Sequence, residues 1–305
     1  PWEWDLKRLA ASAAVATRFM GGDKVQAFEA AAKCVRAYRK RLSRYAEMGA
    51  QQIWYERLDE RAVLGALTPK VRVVAEHMMA RAKSKGHRRI LEKMAEEVGG
   101  EYQITENGPL VVRETHYDDG QPIEAALNTM LHSYLLSLGF DRRRLLSRYR
   151  IVDIARKVVG VGSVGTSCWV VLLRGPGDDD PLFLQVKQAQ SSVLEPHSAY
   201  KLPYDHHGRR VVIGQRLVQG SPDIFLGWGT VGSHHFYVRQ LADMKGGLDM
   251  VEGNRRQIDG FLEYCTLCGW GLALAHAKSG DAAMISGYCG KSEVLDEAIA
   301  QFARS

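Results

Sequence analysis

Residues 157–175 read KVVGVGSVGTSCWVVLLRG, and PLFLQVK follows at 181–187. The glycines at 160, 162 and 165 have the spacing G-x-G-x-x-G. A dinucleotide-binding fold needs such a loop to open a helix, with an acidic residue about 20 positions on. Here TSCWVVLLRG comes next, and its β-branched run belongs to a strand rather than a helix. The arrangement is strand, glycine turn, strand. The glycine spacing alone is a weak signal, because a plain β-hairpin carries the same punctuation.

The chain on either side has two characters. Leu6, Leu9, Ala13, Ala16 and Met20 recur at helical spacing, and a second helix sets Val25, Phe28, Val35, Tyr38, Leu42 and Tyr45 on one face. Further helical runs cover 69–83 and 87–97. GEYQITENGPLVVRET reads as a hairpin turning at Asn107-Gly108, and 122–147 as one helix. From Tyr149 the composition shifts to Val, Leu and Gly, and 151–187 reads as three strands. HHGRRVVIGQRLVQ then predicts a helix, DIFLGWG and HHFYVRQL two strands, and NRRQIDGFLEYCTLCGWGLALAHAK a buried helix. Residues 292–304 close the chain as an amphipathic helix. The expected division is a mainly helical region (1–149), a mixed lobe (150–245) and a helical C-terminal region (246–305).

Bulk properties narrow the classes. A chain of 305 residues can bury two modest cores. It has no apolar run of membrane-spanning length and no charged-then-apolar leader. Five scattered cysteines suggest a reducing cytoplasm rather than a disulfide scaffold. A net charge of +6 suits an anionic ligand or nucleic acid about equally.

A glycine hairpin of this kind folds over a nucleotide's phosphates in protein kinases, and there a following strand presents a lysine to them. Lys187, ending the apolar strand LFLQVK, meets that demand; the alternative is a lysine that merely ends a strand. Six stretches in one order carry a resemblance over nearly the whole chain: PWEWDLKRLAAS, VGVGSVGTSCWVVLL, LFLQVK, SPDIFLGW, FYVRQLADMKG and LALAHAKSGD. They are similar to the DUF2252 family of bacterial proteins. That resemblance implies an α+β, protein-kinase-like fold in circularly permuted order. A G-D-x-H-x-x-N catalytic loop and a D-F-D-E metal-binding aspartate would precede Pro1. The chain is then expected to be a fragment, inert alone in phosphoryl transfer and a weak nucleotide binder.

By the same resemblance, ATP sits under Gly160, Gly162, Ser163 and Gly165, with Lys187 on its α/β-phosphates. Arg239, Gln240 and Leu241 line the adenine-side hinge, where backbone amides read the base edge. Mg2+ is held by aspartates outside the chain, with no metal ligand inside it. Asp5 braces the catalytic loop; otherwise it is a helix N-cap between core tryptophans Trp2 and Trp4. One departure concerns the lysine's partner. Residues 206–219 contain no acid, and Ile213 stands where the family pattern has a glutamate. The implied function is an ATP-dependent phosphotransferase whose acceptor is not readable. The alternatives are a pseudokinase or ligand-binding module, and a basic nucleic-acid binder.

Other features have plainer readings. Cys265 and Cys268 have C-x-x-C spacing inside an apolar helix, which fits packing better than metal. His206-His207 and His234-His235 are loop and strand-end pairs whose side chains diverge. Asp178 to Asp180 reads as a solvated hairpin tip. ARAKSKGHRR and Arg142 to Arg144 read as solvated helical faces, since no aromatic residues interleave with them.

Overall fold

The helical spacing at the start of the chain is answered by α1 (Trp2–Phe19) and α2 (Lys24–Tyr45). Asp23 sets the second start: its carboxylate accepts the Val25 and Gln26 amides while the Gln26 side chain returns to the Asp23 amide. The computed structural model describes residues 2–83, 87–118, 120–158, 165–177, 180–198, 203–241 and 248–304. Next along the chain come α3 (Ala50–Tyr55), α4 (Glu60–Gly65), α5 (Pro69–Lys83), α6 (His87–Met94), β1 (Ala95–Val98), β2 (Glu101–Ile104) and β3 (Val111–Val112). Then follow α7 (Ile123–Ser137), α8 (Phe140–Leu146), β4 (Arg150–Lys157), β5 (Cys168–Arg174) and β6 (Pro181–Ala189). The chain closes with α9 (His207–Val218), β7 (Gly227–Val231), β8 (His234–Gln240), α10 (Ile258–Ser279), α11 (Ala282–Cys289) and α12 (Val294–Phe302). The fold is mixed α+β.

Two compact units result. The first joins Pro1–Ala80 with Leu217–Gly220 and Gly246–Ser305; the second comprises Arg81–Arg216 and Ser221–Lys245. In the first unit α2 and α10 approach closely. A Cβ on Gly269 would lie 2.1 Å from the Cys34 carbonyl oxygen, so only glycine fits there. Trp270 donates its indole N–H to the Tyr45 hydroxyl at 2.8 Å, and the Arg41 guanidinium lies 3.6 Å from the Trp270 ring centre. Asp296 of α12 is fully buried and takes a two-pronged bond from Arg39 at 2.9 and 2.7 Å.

In the second unit the described strands form an antiparallel sheet in the order β3-β4-β5-β6-β8-β7, with β1 and β2 as a separate hairpin. Period-two alternation gives the sheet two different faces. Trp169, Val171, Leu173, Leu184, Val186, Phe236 and Val238 pack with Met130 and Tyr134 of α7. On the opposite face Val170, Leu172 and Phe183 pack with Leu91 of α6 and Ile104 of β2.

Edge strand β7 is sealed by serines rather than by another strand. The Trp228 and Thr230 amides donate to the Ser137 and Ser133 hydroxyls of α7, both at 2.9 Å. Gly227 and Gly229 allow this, because a Cβ on either would strike α7.

Three sequence expectations shift. The helix expected over 87–97 stops at Met94. Gly99 and Gly100, at φ +62° and +85°, supply a tight turn, so Glu101–Ile104 folds back on Ala95–Val98. The hairpin expected at Asn107-Gly108 is therefore reduced to an Asn107–Val111 bridge, and Val111–Val112 pairs with β4. The single helix expected over 122–147 breaks at Leu138, whose backbone is extended, and restarts after Gly139. None of the helices among the described residues is long and apolar enough to cross a membrane.

Candidate functional site

Strand β6 alternates so that Leu182, Leu184 and Val186 enter the α7 core while Phe183, Gln185 and Lys187 face the other way. Register then aligns their neighbours. Lys187 is opposite Cys168 on β5 and Tyr237 on β8, and Tyr237 is opposite Trp228 on β7. One row along, Gln185 is opposite Val170 and Arg239, with Ala155 next to Val170. The β4–β5 ladder runs to the pair Arg156–Trp169, so its next step sets Lys157 beside Cys168. One end of this face therefore carries Lys157, Lys187 and Arg239 around the buried Cys168 and Gln185.

The polar groups here hold one another. The Gln185 side-chain oxygen accepts from Arg239 Nε and Nη2 at 3.3 and 3.2 Å, and its amide nitrogen points at Cys168 Sγ, 3.7 Å away. Burial raises the Cys168 thiol pKa, against the nearby Lys187, Lys157 and Arg239 charges. Burial likewise raises the Tyr237 hydroxyl pKa, with Arg239 opposing. Lys157 is pulled below the usual lysine range by burial, and its Nζ lies 4.0 Å from Met94 Sδ. No carboxylate among the described residues pairs with Lys157, Lys187 or Arg239.

Helix α9 follows this strand and brings no acid. Its N-terminus is pinned to β8: a Cβ on Gly208 would lie 2.1 Å from the Phe236 carbonyl oxygen. Arg209 and Arg216 lie 5.8 Å from the Trp228 ring centre, and Ile213, on the same helix, is half-buried. His206 and His235 stack with centroids 4.0 Å apart. His206 Nδ1 accepts the Arg209 amide and His235 Nδ1 accepts the His207 amide, both at 3.1 Å, so both rings cap the helix in their neutral form. His234 turns to the opposite face and meets the Tyr117 hydroxyl at 2.7 Å, as adjacent strand residues must.

Over residues 1–305 the chain matches a family described as an uncharacterized protein conserved in bacteria, DUF2252. The chain belongs to that family. No curated protein and no solved structure matches it.

In this DUF2252 chain, Gly160, Gly162 and Ser163 lie outside the described residues. Gly165 has φ +82°, a conformation that favours glycine, and open space at its Cβ position. Lys187, Arg239, Gln240 and Leu241 sit on adjoining strands β6 and β8 or directly after them. The amides expected to read a base edge are already engaged at two of these positions. The Gln240 N–H donates to the Asp223 carboxylate, and the Leu241 N–H donates to the Phe183 carbonyl at 2.9 Å.

Asp5 belongs to the first unit and lies inside α1, so it is not that helix's N-cap; Trp4 beside it is 40% exposed rather than core. The Asp5 carboxylate accepts from Arg8 at 3.1 Å and faces His276 Nε2 at 3.5 Å. His276 Nδ1 in turn meets the buried Tyr38 hydroxyl at 2.8 Å. With the ring proton on Nε2 facing Asp5, Tyr38 donates to Nδ1. Burial lowers the His276 pKa, opposed by Asp5, and pushes the Tyr38 hydroxyl well above the usual phenol range. Tyr38 is wholly enclosed, while the Asp5 carboxylate at the other end of the relay stays partly exposed.

Cys265 and Cys268 are free thiols, and burial pushes Cys268 up to about 11, which suits helix packing. Among the described residues no group of three or more His, Cys, Asp or Glu could hold a metal ion. Sequence reasoning singled out Lys187 but passed over Lys157, Gln185 and Cys168, which the register sets around it. Strand parity was the signal: Lys157 stands two positions beyond the buried Ala155, on the same face.

Proposed function

We propose that the second unit binds the phosphate chain of a nucleotide, ATP in the first instance, on the sheet face that carries Lys187. The observation that carries this reading is Lys187, opposite Cys168 and Tyr237 on a buried sheet, without a carboxylate partner among the described residues. A half-buried lysine near the end of an apolar strand, with no acid beside it, is placed to receive an anion. Element order supports the same reading, because a strand, the glycine-bearing stretch of sequence, a strand, the lysine strand and a helix follow one another as they do in kinases. The resemblance extends this to a circularly permuted, protein-kinase-like phosphotransferase, working in the cytoplasm on an acceptor the site does not identify. Its catalytic loop and Mg2+ ligands would then come from sequence before Pro1.

A second reading is a pseudokinase, a nucleotide-binding module without chemistry. It is favoured by α9, which offers Arg209, Ile213 and Arg216 where a lysine-orienting glutamate would stand.

Calorimetric titration of ATP into the wild-type chain and into Lys187→Ala tests the binding reading. A tenfold or larger loss of affinity with unchanged urea stability is expected. Equal affinity in the two proteins would remove Lys187 from the site. ATP consumption by a longer chain, extended before Pro1, separates the enzyme from the pseudokinase.

A further inference from the structure

We infer that Lys157 is a second ligand for the same anion, so that this sheet face takes a di- or triphosphate chain spread over Lys157, Lys187 and Arg239. The inference rests on the nucleotide-site reading and names which part of a nucleotide the described residues hold.

Register supplies the first argument. Lys157 and Lys187 stand on the two strands that flank Cys168 and share its face. Two inter-strand spacings set their Cα atoms about 10 Å apart, with Cys168 between them. Arg239 stands one row along on β8, held by Gln185, whose amide nitrogen points at Cys168, so the three cations share this end of the face. The floor of that spot is neutral: Cys168 is buried, and Gln185 spends its oxygen holding Arg239 in place.

Environment supplies the second argument. Lys157 is half-buried beside Met94, with the neutral Cys168 thiol next to it and another cation, Lys93, nearby. An ammonium held in apolar surroundings among other cations is unfavourable until an anion arrives. One negative charge cannot offset three cations. A chain of two or three phosphates carries enough charge and can reach from Lys157 across Lys187 to Arg239 in the adjoining row.

Tripolyphosphate, ATP and adenosine are titrated calorimetrically into the full chain as wild type, Lys157→Met, Lys157→Arg and Lys187→Ala. Lys157→Met should weaken both ATP and tripolyphosphate by tenfold or more, with no loss of melting temperature. Lys157→Arg should restore most of that binding, and adenosine should not distinguish the variants. NMR of the 13C-methylated lysines adds a direct readout: the Lys157 pKa should rise when tripolyphosphate binds. If Lys157→Met binds ATP like wild type while Lys187→Ala does not, the inference is overturned and the nucleotide reading stands. If tripolyphosphate binds through Lys157 but ATP does not bind, the polyphosphate site stands and the nucleotide reading is lost. Failure of both anions to bind wild type overturns both.

Discussion

Lowering the pH from 7.5 to 5.5 should loosen the start of α9, and the histidine pair beneath it explains why. His206 and His235 both have depressed pKa values; burial is the main cause in each, followed by the neighbouring histidine. His235 and Thr230 lie against His206, and His207 with Ser191 lies beside His235; Asp205 is the acid nearby, and Arg209 and Arg210 follow on the helix. The folded state keeps both rings neutral because each Nδ1 accepts a helix amide. In the unfolded chain they protonate near 6.5. Below that value the unfolded state takes up protons that the folded state refuses, so stability falls as pH falls, until the depressed folded values are reached. Each ring contributes at most about 1.4 kcal/mol per pH unit. Both are partly solvent-exposed, so about 1–2 kcal/mol in total between pH 6.5 and 5.5 is the expected loss. Urea unfolding at stepped pH measures it, and exchange protection of the His207 and Arg209 amides localises it. His235→Asn keeps an acceptor but cannot protonate, so it should lose about half of the dependence. A pH slope equal to wild type in that variant would refute the reasoning.

Two further expectations concern packing. Asp296→Ala leaves Arg39 charged and enclosed without its partner, which should cost about 3–5 kcal/mol in urea unfolding. Replacing both residues by apolar side chains of similar size should recover most of that loss; no recovery would mean that the pair is more than a charge balance. Gly208→Ala drives a Cβ into the Phe236 carbonyl, so it should destabilise by about 1–3 kcal/mol and weaken anion binding through displaced α9. Wild-type stability in that variant would show that the helix start is free to shift.

Much of this arrangement was legible because strand parity and helical spacing are local. Leu6 to Met20 and Val25 to Tyr45 announced α1 and α2, and LFLQVK announced which β6 residues turn from the core. What was not legible depends on partners distant in sequence. Asn107-Gly108 has the better turn chemistry on paper, yet Gly99-Gly100 closes the hairpin because it leaves Val111 free to pair with Lys157. Gln240 and Leu241 look like open hinge amides until Asp223 and Phe183 are seen to occupy them. Trp4 reads as core from its hydrophobicity, but the face of α1 that carries it is exposed.

The missing acid on α9 and the crowd of cations on the sheet are one feature seen from two sides. Where a glutamate pairs with the strand lysine, that lysine arrives at its ligand already half-neutralised and fixed in direction. Here α9 turns Arg209 and Arg216 onto Trp228 and leaves Ile213 between them, so no charge from the helix neutralises Lys187. Direction must come from elsewhere, and the sheet supplies it for Arg239, which Gln185 holds by two bonds. Lys157 and Lys187 have no carboxylate partner among the described residues. The proposed site would gain its affinity from the ligand's own charge, so tripolyphosphate affinity, titrated calorimetrically at rising salt, should fall steeply, and an affinity independent of salt would refute that reading. A lysine already paired with a glutamate would lose far less over the same range of salt.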